Sequence, residues 1–315
     1  MARPPRKPRE IRRSTDVEVE RVVSRPVVAR RADRRQPSLF DVEPQWIAPA
    51  LPTLVRTPPS GPEWFHELKH DGYRMVSVIG REKVSMHTRR GRDWASRLPG
   101  IVADLADLDL RSAVIDGEAV MPGEDGISDF SLIHAALARG EALGAVLIAF
   151  DLMHLDGEDL RQTPLEERRA ILQALLRRGQ PLGVYFSEAV VGDGPAALRA
   201  ACEIGLEGIV SKRRSSLYRS GKVDSWRKTK CTTTEQFAVI GAEPRWGAVQ
   251  SLRLARLTGE LVPCGWAASG LSESAGRKLR IALDAGTPVV AEIEHRGLTS
   301  AGELRHPVVR SWHAG

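Results

Sequence analysis

The chain has 315 residues, 42% of them hydrophobic, with a formal net charge of +6, which is enough for two domains with cores of their own. No stretch approaches the roughly 18 uninterrupted apolar residues of a membrane span, and no apolar secretion-signal core follows the basic N-terminus, so a cytoplasmic protein is expected. Charge is unevenly divided: residues 1–40 carry +7, residues 41–207 carry −9 and residues 208–315 carry +8, and basic ends suit a polyanion held through its phosphates.

Residues 1–45 are rich in Arg and Pro, lack apolar periodicity and are expected to form a disordered basic tail. From Trp64 onward, short alternating runs at 64–69, 74–79, 84–88 and 114–120 predict antiparallel strands. A helix is expected to start at Ser128. A second has Thr163 as N-cap, Pro164 at its first position, Glu166 and Glu167 in its first turn and its end at Gly179. A third runs from Pro195 to about Ile204, stops at Gly205 and leads into a strand at 208–212. After Cys231 come strand-like runs at 236–242, 251–257 and 261–268, a helix at 273–285 and a strand at 289–295, the make-up of a small barrel such as the OB-fold. The class is therefore α+β, with domains expected at 46–232 and 233–315. Cys202, Cys231 and Cys264 lie far apart, fit neither a disulfide framework nor zinc spacing, and are expected as reduced, mostly buried thiols.

Lysine is scarce, 8 residues against 38 arginines. Lys69, Lys212, Lys228 and Lys230 nevertheless fall in distinctive segments, and arginine cannot replace a lysine that must lose its proton to act as a nucleophile. Lys69 stands in Glu67-Leu68-Lys69-His70-Asp71-Gly72-Tyr73-Arg74, at the end of a predicted strand. Downstream follow Asp116-Gly117-Glu118, Phe150-Asp151, Glu207-Gly208-Ile209-Val210-Ser211-Lys212 and Trp226-Arg227-Lys228-Thr229-Lys230. Glu118 and Glu207 suit Mg²⁺ or Mn²⁺, hard ions that take few protein oxygens and keep their waters. Lys228 and Lys230 would favour a neutral amine at Lys69 and stabilise charge building on a phosphate.

In order and spacing these segments resemble the nucleotidyltransferase motifs of ATP-dependent polynucleotide ligases. Over residues 46–310 they are similar to the ligase domain of bacterial ligase D of non-homologous end joining. Thr88-Arg89-Arg90-Gly91, the run 150–157, Tyr218-Arg219-Ser220-Gly221 and Leu304-Arg305-His306-Pro307 add to the resemblance. It implies an adenylation domain of antiparallel sheets followed by an OB-fold barrel, in a monomeric DNA ligase acting in repair on duplex DNA with nicks or ends. Lys69 would take AMP from ATP and pass it to a DNA 5′-phosphate, with Lys228 and Lys230 assisting. By the same resemblance Phe150 would stack on adenine, Glu118 would lie near the ribose, Arg74 and Arg89 would contact the ribose or the DNA phosphate, and Lys212 would approach the nucleotide phosphates. Glu67 and Asp71 would belong to the nucleotide pocket. RNA ligases and GTP-using capping enzymes share the Lys-x-Asp-Gly chemistry, and a degenerate ligase would hold DNA ends without sealing them; both stay open as alternatives.

The sequence departs from the family in places. Its closing basic, acidic and lysine-containing motif, which orients pyrophosphate, is absent or reduced to Arg310, so slow self-adenylylation or help from a partner is expected. His134 stands where the family often has glutamine. The polymerase and nuclease domains that accompany ligase D are not expected beside these two domains. In the tail, Gln36-Pro37-Ser38-Leu39-Phe40 resembles the peptide by which bacterial repair proteins bind the sliding clamp, inserting Leu39 and Phe40 into a groove; docking of these two residues on the chain's own first domain is the other reading.

Overall fold

The computed structural model describes residues 44–315 apart from 124, 125, 127, 129, 246 and 300. Nearly all of the expected tail, with Gln36, Leu39 and Phe40, lies outside the described residues. In chain order the elements are β1 (Ala50–Leu54), β2 (Gly61–Leu68), β3 (Tyr73–Ile79), β4 (Val84–Thr88), α1 (Pro99–Ala106), β5 (Ala113–Val120), α2 (Phe130–Arg139), β6 (Val146–Leu155), β7 (Glu158–Asp159), α3 (Leu165–Gly179), β8 (Val184–Phe186), β9 (Ala189–Gly192), α4 (Gly194–Glu203), β10 (Gly208–Arg213), β11 (Gly221–Lys230), β12 (Thr233–Arg245), β13 (Ala248–Thr258), β14 (Glu260–Ala267), α5 (Glu273–Asp284), β15 (Val289–His295) and β16 (Val308–Ala314).

They form three sheets, ordered β1-β11-β10-β2-β9, β4-β3-β5-β6-β7 with β8 beside β6, and β14-β13-β12-β15-β16. Pairing is antiparallel except for β1 with β11 and β6 with β8. This is the α+β architecture with antiparallel sheets that the sequence predicts. The period of two along a strand explains how the second sheet serves two cores. Met75, Ile79 and Ile115 face a core closed by α1, α2 and α3. Val76, Val78 and Val114 face the other way, into a core shared with Ala50, Phe150, Tyr218 and Trp226 that joins the first two sheets. The third sheet has its own core of Phe237, Leu252, Leu254, Ala291 and Ile293, with Leu279 of α5 packed into it, in keeping with the expected OB-fold.

Several ends differ from the sequence-based expectation for local reasons. Helix α2 starts at Phe130, because Ser128 pairs with Pro122 in an isolated bridge. Helix α3 is capped by Pro164 rather than Thr163, whose carbonyl accepts a hydrogen bond from the Arg168 side chain. Asp193 and Ser272 cap α4 and α5, each side chain accepting from the backbone three residues on. Strand β16 lies beyond the strands that the sequence predicts; it pairs with β15, and Arg310 forms an ion pair with Glu294 across that pair.

The expectation of three free thiols is corrected. Cys202, in α4, and Cys231, just past β11, form a disulfide with Cα atoms 5.4 Å apart, leaving Cys264 buried and free. The separation of 29 positions hides this proximity, because α4 packs on β10 and β10 pairs antiparallel with β11, folding the segment back on itself. Among the described residues no helix is long and apolar enough to cross a membrane.

Candidate active site

Strands β2, β10 and β11 are neighbours in the first sheet, and their register gathers the motif lysines at one end of it. Lys69 follows β2 directly, and its backbone N–H donates to Gly208 O. Across the other ladder Val210 faces Lys228 and Gly208 faces Lys230. Gly208 is required for this approach: its φ is +143°, and a Cβ there would lie 2.1 Å from Thr229 O. Gly72 has a matching role after Lys69, since a Cβ would lie 2.3 Å from Ala119 O of β5. The motif glycine thus lets the turn carrying Lys69 sit against the second sheet.

Glu207 is the centre of the cluster. Its Oε2 is in hydrogen-bond contact with Lys69 Nζ, while its Oε1 lies 3.0 Å from Arg296 Nη1 and 3.8 Å from Lys230 Nζ. Burial, together with the charge of Lys69, holds Lys228 below the ordinary lysine range. Burial and Arg296 do the same for Lys230. Glu118, on β5, has its pKa pushed up to about 7 by burial, against the pull of Arg74 and Lys69 and with the like charges of Asp116 and Glu207 adding to the rise. Arg89 is exposed in the turn after β4 and contributes its charge at Lys228. Asp71 lies in the turn between β2 and β3.

Arg74 is opposite Glu118 in the β3–β5 register. Its Nε and Nη2 reach Asp116 at 2.5 and 2.7 Å, and its guanidinium lies 4.5 Å from the Phe150 ring centroid. Phe150 is buried, and Lys212 Nζ is 4.1 Å from its centroid and 4.2 Å from that of Trp226. Lys212 also donates to Glu67 Oε2 at 2.8 Å; burial lowers its pKa to about 8, although Glu67 opposes the fall. The structure therefore brings Lys69, Glu118, Glu207, Lys228 and Lys230 together. It places Glu67, Phe150 and Lys212 in an adjoining buried network rather than on an open surface.

His66 and His70 have the four-residue spacing of a zinc-binding helix, but here the run is extended, where four residues span roughly 13 Å. His66 instead contacts Ser211 Oγ at 2.9 Å and Gly192 O at 3.3 Å. Among the described residues no three His, Cys, Asp or Glu side chains gather as a metal set.

Residues 51–230 match the ATP dependent DNA ligase domain. The chain belongs to the ATP-dependent DNA ligase family. This ligase-family chain is 43% identical over 203 residues to the multifunctional non-homologous end joining protein LigD of Pseudomonas aeruginosa, a match covering 64% of the chain and 24% of that protein. It therefore spans about a quarter of the length of such curated relatives. The ligase domain of LigD from M. tuberculosis superposes with a TM-score of 0.55 at 30% identity, covering 84% of this chain and 94% of that domain. A mycobacterial DNA ligase D complexed with ATP and MES superposes equally, at 29% identity and over the same shares.

Within this ligase fold, Arg168, Arg169 and Ser187, which carry no motif in the sequence, hold the site in shape together with Tyr218 of the segment 218–221. Arg169 of α3 donates to Glu67 Oε1 at 2.6 Å and to Ser187 O at 2.7 Å, while Ser187 Oγ reaches Glu67 Oε2 at 3.1 Å. Arg168 forms a fully buried two-bond pair with Asp151, at 2.7 and 2.8 Å. Tyr218 O–H donates to Asp116 at 2.6 Å and accepts from Ala50 N–H at 2.9 Å. Arginines in a helix read locally as solvated charges; only long-range packing turns Arg168 and Arg169 inward. His134 contacts the Tyr73 hydroxyl at 2.9 Å.

Proposed function

We propose that this chain is an ATP-dependent DNA ligase that seals nicks or ends in repair through a lysyl-AMP intermediate on Lys69. The observation that carries the reading is the contact of Lys69 with Glu207 in a cluster that also holds Lys228 and Lys230. A neutral lysine amine there bonds to the α-phosphorus of ATP as the bond to pyrophosphate breaks. Glu207 Oε2 is in contact to receive the proton shed by the nitrogen. Lys228 and Lys230 would stabilise the charge that develops on the phosphate oxygens. A DNA 5′-phosphate oxygen then displaces Lys69 from phosphorus, the amine regains a proton, and the 3′-hydroxyl closes the break with release of AMP.

Glu118 and Glu207 fit a Mg²⁺ or Mn²⁺ ion. Two carboxylates whose charges act on each other beside Lys69 supply the hard oxygen donors that such an ion takes while it keeps most of its waters. When bound, the ion would supply charge neutralisation at the phosphates. Arg74, Arg89, Phe150, Lys212, Glu67 and Asp71 would form the nucleotide pocket, with adenine against Phe150; because Lys212 and Arg74 lie near that ring, the base would have to share it with them.

Residues 46–232 and 233–315 would act as adenylation and DNA-gripping OB domains of a cytoplasmic monomer, with the basic excess of the second binding phosphates without reading bases. Gln36, Leu39 and Phe40 would supply a clamp-binding peptide. A pull-down in which Leu39→Ala with Phe40→Ala retains the sliding clamp as well as wild type removes that partner. The catalytic reading is tested by incubating the protein with α-labelled ATP and Mg²⁺ and chasing with nicked duplex. Acid-stable label on wild type, none on Lys69→Ala, and transfer to DNA are expected. An unlabelled wild type, or undiminished label on Lys69→Ala, refutes it.

A further inference from the structure

Arg296 lies just past β15, in the third sheet's part of the chain, yet its guanidinium reaches into the lysine cluster of the first sheet. Its Nη1 is 3.0 Å from Glu207 Oε1, and its side chain is only 14% exposed. Its backbone is held on both sides. Arg296 N–H donates to Arg305 O at 3.0 Å, Arg305 N–H donates to Gly297 O at 2.9 Å, and a bridge between Leu298 and Leu304 closes the arm. Leu304 N–H donates in turn to Cys264 O of β14, which ties the arm to the third sheet.

The junction does not need this ion pair as a tether. The Cys202–Cys231 disulfide and the hydrogen bond from Cys231 N–H to Glu207 O already hold the chain at that point. What the pair adds is an orientation. A carboxylate is free to rotate about its terminal bond unless both oxygens are engaged, and here each oxygen has a different cation. Arg296 and Lys230 hold Oε1, which leaves Oε2 turned to Lys69.

We propose that Arg296 is a positioning residue for the charging of Lys69: by holding Oε1 of Glu207 it fixes the carboxylate whose other oxygen engages the nucleophile. The third sheet thereby takes part in the first step of the reaction. The inference rests on the lysyl-AMP reading above. Sealing of a nick that already carries AMP does not require Lys69 to attack a nucleotide, so Arg296 is needed much less there.

The test is single-turnover transfer of label from α-labelled ATP to the full chain, alongside sealing of pre-adenylylated nicked duplex. The variants are Arg296→Gln, Arg296→Ala and Arg296→Lys, with Glu260→Gln, exposed on β14, as a control on the same sheet. Arg296→Gln and Arg296→Ala are expected to slow charging about tenfold or more, in the maximal rate rather than in the ATP concentration at half-saturation. Sealing of the pre-adenylylated nick should change less than about twofold, and Arg296→Lys should recover most of the charging rate. Glu260→Gln should match wild type in both steps.

Charging at the wild-type rate in Arg296→Gln overturns the proposal. So does an equal loss in both steps with a lowered melting temperature, the mark of a merely structural role. If Arg296→Ala does not fold, the milder Arg296→Gln decides by the same criteria. A wild type that takes no label brings down the ligase reading itself; a labelled wild type with undiminished Arg296→Gln brings down this inference alone.

Discussion

Lys69 and Glu207 are 138 positions apart in the chain and meet side chain to side chain at the end of the first sheet. The lysine is 22% exposed and the carboxylate 7%. Lys69 is therefore open to a substrate while its partner is shielded, and on the proposed chemistry the loss of the partner's charge should be felt in the rate. Glu207→Gln keeps the size and one oxygen but leaves three cations without their counter-charge. Charging of Lys69 is expected to fall about 10²-fold, measured as initial rate of acid-stable label, with the far-ultraviolet circular dichroism unchanged. A labelling rate close to that of wild type would mean that Glu207 serves only to bind the lysines together.

Arg168 and Asp151 have no exposed side-chain surface, and Arg168 also donates to Thr163 O and Ser216 O. Burial raises the Asp151 pKa despite this partner, so removal of the arginine strands a desolvated acid and two carbonyls. Arg168→Met is expected to cost about 3–5 kcal/mol in urea unfolding, and the double variant Arg168→Met with Asp151→Leu to recover a good part of it. If the single variant costs less than about 1 kcal/mol, water must replace the arginine and the pair is not a structural anchor.

The contrast between these two pairs marks what a sequence can reveal. Lys69, Glu118, Glu207, Lys228 and Lys230 can be picked out in the sequence because the chemistry proposed for them asks for particular residue types in a fixed order, all but Glu118 on or beside neighbouring strands of the first sheet. The strand at 289–295 is legible through alternation, because one face meets a core, whereas that at 74–79 is legible as a short apolar run buried on both faces. Arg169 and Arg296 are not, since each acts through a partner distant in the chain and sits in a stretch that reads locally as solvated. Strand β16 is hidden because Val308–Ala314 is largely exposed and has only β15 as a neighbour. The disulfide is hidden for the same kind of reason, since spacing along the chain carries no information about α4 packing on β10 or about the return of β11 beside β10.

That disulfide closes a loop containing Glu207, Lys212, Trp226 and Lys228. By the loop-entropy relation a closure of this length is worth about 3–4 kcal/mol. The double variant Cys202→Ser with Cys231→Ser, or reduction by dithiothreitol, should lower the stability of the oxidised protein by that order in urea unfolding. Cys264→Ser should show the same difference between oxidised and reduced samples as wild type. Identical unfolding curves with and without reductant would mean that the two thiols are not joined in solution.

Glu118 ties the needs of the site to the stability of the fold. Its folded pKa of about 7 lies above the unfolded value of 4.5, so between these two pH values the folded state binds more protons than the unfolded state. Stability from this group is accordingly greatest below about pH 4.5, falls as pH rises through the interval and levels off above about pH 7. The full loss is about 3–4 kcal/mol, since each tenfold change in the proton-binding constant is worth about 1.4 kcal/mol. Glu118→Gln removes the titrating group, and should melt at a higher temperature than wild type at about pH 8 with little difference at about pH 4.5. The same variant should lose charging of Lys69 by about 10²-fold. Equal melting differences at both pH values would place the Glu118 carboxyl in a solvated setting, and would weaken its assignment as a metal-facing group in the nucleotide site.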